Sequence, residues 1–92
     1  MPAVVLPAAL SPDTAGRRRL ILPATVASVS QALEAVFSLH PRLRLRILTE
    51  QGELRPNVNV FVDGENVRFE DGLSTAVRED AEVVVLPAIS GG

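Results

Sequence analysis

Asn57-Val58-Asn59-Val60-Phe61-Val62, closed by Asp63-Gly64, is the stretch that decides the fold. It alternates with period two. Val58, Val60 and Val62 therefore share one face of a strand, and Asn57, Asn59 and Phe61 share the other. Asp63-Gly64 is a tight-turn signal, which predicts a short returning strand at Val67-Arg68-Phe69. Asp71-Gly72 marks a further turn, and Leu73 to Val77 reads as one helical turn. Glu82-Val83-Val84-Val85-Leu86 is the last strand, apolar on both faces.

Working back towards the N-terminus, Ala3 to Leu10 is an apolar run of strand length, and Ser11 to Gly16 has the composition of a loop. Arg17 to Leu22 reads as a second strand, giving a hairpin with a solvated arginine run at 17–19. Leu-Pro-Ala recurs at 6–8, 22–24 and 86–88. Proline cannot donate to a sheet ladder, so the three copies mark strand ends. Ser28 and Gln31 fit a capping box, and Val29, Leu33, Val36 and Phe37 follow at helical spacing. Pro41 stops this helix near Leu39 and leaves His40 at its end. Arg42 to Leu48 is read two ways. Its period-two alternation says strand, with Arg42, Arg44 and Arg46 on one face, solvated or turned to an acidic partner; a short helical turn after Pro41 is the other reading. Gln51-Gly52 is a turn. The order strand, strand, helix, then two or three strands predicts an α+β fold. The arrangement it fits is β-grasp: a mixed sheet of four to five strands, first and last central, with one main helix packed on one face. Other α+β layouts share the pattern.

The composition narrows function. Ninety-two residues make one domain, placed at 1–87, with a tail at 88–92. The chain has no cysteine and one histidine, and all nine of its basic residues are arginine. Thiolate, Schiff-base and multi-histidine metal chemistry are thereby excluded. A net charge of −2 argues against nucleic acid as the partner. No apolar stretch approaches a membrane span of roughly 18 residues. Met1 to Pro7 lacks the basic region of a signal peptide, so a cytoplasmic protein is expected.

Gly91-Gly92 stands beyond a strongly apolar strand and a short tether, Ala88-Ile89-Ser90. Glycine has no Cβ, so this backbone can enter a narrow channel and offer an unhindered terminal carboxylate. Asn59 to Phe69, Asp71-Gly72-Leu73, Val83 to Ala88 and the final Gly-Gly together resemble the ubiquitin-like sulfur carriers of the MoaD/ThiS group, most closely the CysO branch. The likeness is close over roughly the last forty residues; earlier it is one of element order. The resemblance implies no bound cofactor and no catalytic residue in this chain. It implies that an adenylyltransferase of the MoeB/ThiF type uses ATP to activate the Gly92 carboxylate, that sulfur then displaces AMP, and that the thiocarboxylate serves biosynthesis. In the CysO branch the acceptor is a pyridoxal-phosphate-dependent cysteine synthase, and a metalloprotease releases the product. Phe61, Val84, Leu86 and Pro87 are the expected partner interface. Molybdopterin synthesis, secondary-metabolite sulfur transfer, a protein modifier joined through Gly92, a β-grasp binding module and a carboxylate enzyme are the competing readings.

Overall fold

The computed structural model describes residues 1–87; Ala88, Ile89, Ser90, Gly91 and Gly92 lie outside the described residues. Five strands form one mixed sheet: β1 (Ala3–Val5), β2 (Arg19–Ile21), β3 (Val58–Val62), β4 (Glu65–Asn66) and β5 (Glu82–Pro87), in the order β2-β1-β5-β3-β4. β1 and β5 run parallel at the centre, and every other pair is antiparallel. This is the β-grasp arrangement, and α1 (Val29–Leu39) is its main helix.

Helix α1 forms where the sequence signals it. Ser28 Oγ accepts from the Gln31 amide at 3.2 Å, and Gln31 Oε1 accepts from the Ala27 amide at 2.7 Å, one residue earlier than a strict capping box. Val29, Ala32, Leu33, Val36 and Phe37 face the sheet and are buried. They meet Val4, Leu20, Val58, Val60, Val62, Val83 and Val85 in a single core. His40 caps the helix end, donating its amide to the Val36 carbonyl at 2.8 Å.

Three segments differ from the sequence reading, and a fourth, read two ways, takes its helical alternative. The first strand is shorter than Ala3 to Leu10. It ends before Pro7, and Ala8–Thr14 coils into a 3-10 helix where a loop is expected from Ser11. Pro7 lacks an amide donor for the ladder, and its carbonyl instead accepts from Leu10 at 3.0 Å.

Arg42 to Leu48 is helical, not a strand. Pro41 opens a 3-10 turn (Pro41–Leu43) that runs into α2 (Arg44–Ile47). Leu43 and Ile47 stand four apart and are both fully buried, whereas Leu45 is exposed. The burial period is therefore helical, and the alternation of arginine with aliphatic residues is incidental to it.

Val67-Arg68-Phe69 is a 3-10 turn rather than a returning strand; only Glu65–Asn66 pairs with β3. Asn66 Oδ1 accepts from the Arg68 amide at 2.9 Å, and Val67 drops into the core instead of continuing the ladder. The helical turn expected at Leu73 to Val77 lies earlier, at Gly72–Ser74. Val77 donates instead to the Ala27 carbonyl at 3.0 Å, tying this segment to the start of α1.

The turns at Gln51-Gly52 and Asp63-Gly64 are where the sequence puts them. Asp63 and Gly64 adopt φ of 49° and 88°, the two positive values that a two-residue hairpin requires.

Candidate docking face and tail exit

A one-helix domain leaves one side of its sheet uncovered, and strand register says which residues stand there. β5 alternates: Val83 and Val85 are buried under the helix, while Val84 is half-buried and Leu86 is 42% exposed. Register then aligns Val5 with Val84, Val84 with Phe61, and Phe61 with Asn66. Asn59 lies opposite Leu86. The open face is thus an apolar strip of Val5, Val84, Phe61 and Leu86, with the exposed Ile21 towards the β2 edge.

A salt bridge borders the strip. Arg19 on β2 reaches Glu82 on β5 at 2.7 Å. β1 lies between those two strands, and its residue opposite Glu82 is Ala3, which is only 2% exposed. A small side chain there lets the ion pair pass above it.

Phe61, Val84 and Leu86, singled out from the sequence, are brought together on this face. Pro87 is not with them. It has the parity of Val85 and lines a groove on the helix side, with Leu10, Leu45, Arg46, Arg55 and Val58. The sequence reading missed this groove, because it forms only if Arg42 to Leu48 coils. The buried pair Leu43 and Ile47 after Pro41 is the signal that points to it.

Each arginine of α2 has an intramolecular acid. Arg44 clasps Glu34 with two bonds, 2.8 and 2.6 Å, while its guanidinium lies 4.9 Å from the centre of the Phe37 ring. The bidentate contact lowers the Glu34 carboxyl below its ordinary value of 4.5 and raises the Arg44 guanidinium. Arg46 Nε stands 3.5 Å from Asp13. On the far side of the sheet, Arg68 donates to the carbonyls of Arg55 and Val58 at 2.5 and 2.6 Å, which anchors the start of β3.

Among the described residues no three acids or histidines gather to hold a metal ion. No helix among them is long and apolar enough to cross a membrane. The described surface presents an apolar sheet face at the end of β5, the last strand before the Gly-Gly of the sequence, which is the form of a β-grasp carrier.

Comparison with known proteins gives this class its family. The ThiS family profile matches residues 4–92. The sulfur carrier protein CysO of Mycobacterium tuberculosis is 37% identical over 90 residues, which is 97% of this chain and 96% of that one. The structure of the BexX/CysO complex of Amycolatopsis orientalis matches with a TM-score of 0.87 and 32% identity, covering both chains fully. Small archaeal modifier protein 3 of Haloferax volcanii is 39% identical over 69 residues, 75% of this chain and 71% of that one. The chain belongs to the ThiS family. It is a sulfur carrier of the ThiS/CysO type, acted on by partner enzymes rather than a catalyst itself.

Proposed function

We propose that this chain carries sulfur on Gly92 for the biosynthesis of cysteine. A MoeB/ThiF-type adenylyltransferase brings ATP, and an oxygen of the Gly92 carboxylate attacks its α-phosphorus. Pyrophosphate leaves and an acyl-adenylate forms. A hydrosulfide-equivalent donor then attacks the acyl carbon, AMP leaves with the bonding pair, and a thiocarboxylate remains. A pyridoxal-phosphate-dependent, cysteine synthase-like enzyme accepts the sulfur, and a metalloprotease frees the product from the carrier.

The observation that carries this reading is likeness to CysO along nearly the whole chain, 97% of it, rather than over the Gly-Gly end alone. The open face of Val84, Phe61 and Leu86 agrees with it, because a tail delivered into an enzyme needs a docking surface at its base. ATP and pyridoxal phosphate belong to the partners. In this chain the acyl group is the reacting part, and the absence of cysteine and lysine leaves no thiol or side-chain amine to compete for it.

Incubation of the full chain with ATP, a sulfide source and its adenylyltransferase should replace one oxygen by sulfur in the intact mass, mapped to the last peptide. A sulfur adduct elsewhere in the chain would sink the mechanism. Transfer of the sulfur to an O-activated serine by a cysteine synthase-like enzyme tests the pathway.

A second reading is a protein modifier joined to amines through Gly92. Its basis is the likeness to small archaeal modifier protein 3. With no lysine the chain forms no lysine-linked chains on itself, so its conjugates would each carry one copy per acceptor lysine.

A further inference from the structure

The end of β5 is bordered on two sides. Leu86 and Phe61 stand on the open side. On the helix side a groove of about 380 Å³ runs between the 3-10 helix Ala8–Thr14, α2 and the start of β3. Val58 and Val85 line its apolar depth, and Leu45 on its wall is 52% exposed. Arg46 and Arg55 also line it, and among the described residues no carboxylate does. Arg55 Nε donates to the Leu45 carbonyl at 2.6 Å, which fixes the guanidinium at the wall. The Arg46 side chain is 60% exposed despite its contact with Asp13. With Arg46 paired to Asp13, the lining keeps one further guanidinium charge, that of Arg55, although the chain as a whole is negative.

We infer that this groove is the second half of the docking surface for the adenylating enzyme, receiving from it an acidic projection with an apolar tip. The inference rests on the sulfur-carrier mechanism proposed above. An enzyme that takes in the tail must close around the chain at Pro87, and Pro87 is itself a wall of the groove. Contact on the open face alone would grip the exit from one side. The apolar depth suits an aliphatic or aromatic tip, and the Arg55 guanidinium, with the exposed Arg46 head beside it, suits a carboxylate next to that tip. Charge at such a rim governs encounter and register, and salt screens it.

The test uses the full chain with the MoeB/ThiF-type adenylyltransferase of the same organism, reading initial pyrophosphate release against carrier concentration. Arg46→Glu should raise KM about tenfold and leave kcat within about twofold, and the difference should shrink in roughly 0.5 M salt. Leu45→Asn should raise KM severalfold with no salt dependence, because Leu45 is an apolar contact. Arg42→Glu removes an arginine of the same segment that does not line the groove, and should change KM by less than about twofold. If wild type is adenylated and neither Arg46→Glu nor Leu45→Asn moves KM, the groove is not a docking surface. If either variant is adenylated faster than wild type, the groove holds the chain's own tail or a second copy, and the inference fails. If wild type releases no pyrophosphate with an enzyme shown to be active on another carrier, it is the sulfur-carrier mechanism that fails.

Discussion

Phe61 sits at the middle of the open face because its register neighbours are Val84 on one side and Asn66 on the other. An aromatic with an aliphatic neighbour on one side and an amide on the other suits the centre of an interface, where a few side chains dominate affinity. Leu86 is an exposed residue of that strip and the closest of them in sequence to the tail. Phe61→Ala and Leu86→Ala should each weaken binding to the adenylyltransferase by about 1–3 kcal/mol, measured by titration calorimetry. Far-UV circular dichroism should be unchanged, since the buried valines of the same strands, Val60 and Val85, point the other way. If Phe61→Ala unfolds the domain instead, its role is packing rather than docking.

The short helix α2 shows what one sequence pattern conceals. Arg-Leu-Arg-Leu-Arg-Ile alternates perfectly for a strand, yet tertiary packing takes Leu43 and Ile47 into the core and leaves Leu45 outside. Local alternation cannot register a core that arrives from α1 and β3. By contrast, β3 and α1 are legible because each has a strong period and punctuation at its end, in Asp63-Gly64 and the Ser28 cap, and β5 is legible as a continuous apolar run closed by Pro87. The faces of β3 follow from that period, whereas the outward pair of β5, Val84 and Leu86, is placed by the family resemblance and not by any period of its own. The groove side of the tail exit follows from neither, since it depends on α2.

What ties α2 to α1 is the Arg44–Glu34 pair over Phe37, and its pH dependence has a definite sign. Arg44 holds the Glu34 carboxyl below its ordinary value of 4.5 in the folded state. A lowered folded-state value stabilises the fold above the unfolded value, and that stabilisation is lost as pH falls through the folded one. Glu34→Gln should therefore melt slightly below wild type at pH 7, and the gap should close as pH falls below about 4.5. The gap should be only a few degrees, because both side chains are about half-exposed and solvent screens them. A gap that persists unchanged at pH 2.5 would mean that the carboxylate's charge is not what Arg44 recognises.

At the scale of the whole molecule, the proposed mechanism asks the five residues after Pro87 to enter another protein's interior. Ordering five residues in an enzyme channel costs roughly 5–10 kcal/mol, at about 1–2 kcal/mol per residue. Two glycines, a serine and an alanine have little apolar surface to bury, and Ile89 alone recovers about 1.5–3 kcal/mol. Under the proposed mechanism the tail by itself binds weakly, and the deficit falls to the two proposed docking surfaces of the body: the open face of Phe61, Val84 and Leu86, and the groove on the opposite side of Pro87. Docking the body first also turns tail insertion into an intramolecular step at high effective concentration. The peptide Pro87 to Gly92 carries the reacting carboxylate and the whole tail but neither surface. Its adenylation should show a kcat/KM at least about a hundredfold below that of the full chain, which corresponds to the loss of about 2.7 kcal/mol or more of binding. Adding the separate body, residues 1–86, should not rescue the peptide, because the linkage between surface and tail is then absent. A peptide as good a substrate as the full chain would show that recognition lies in the tail, and that the sheet face and groove serve some other contact.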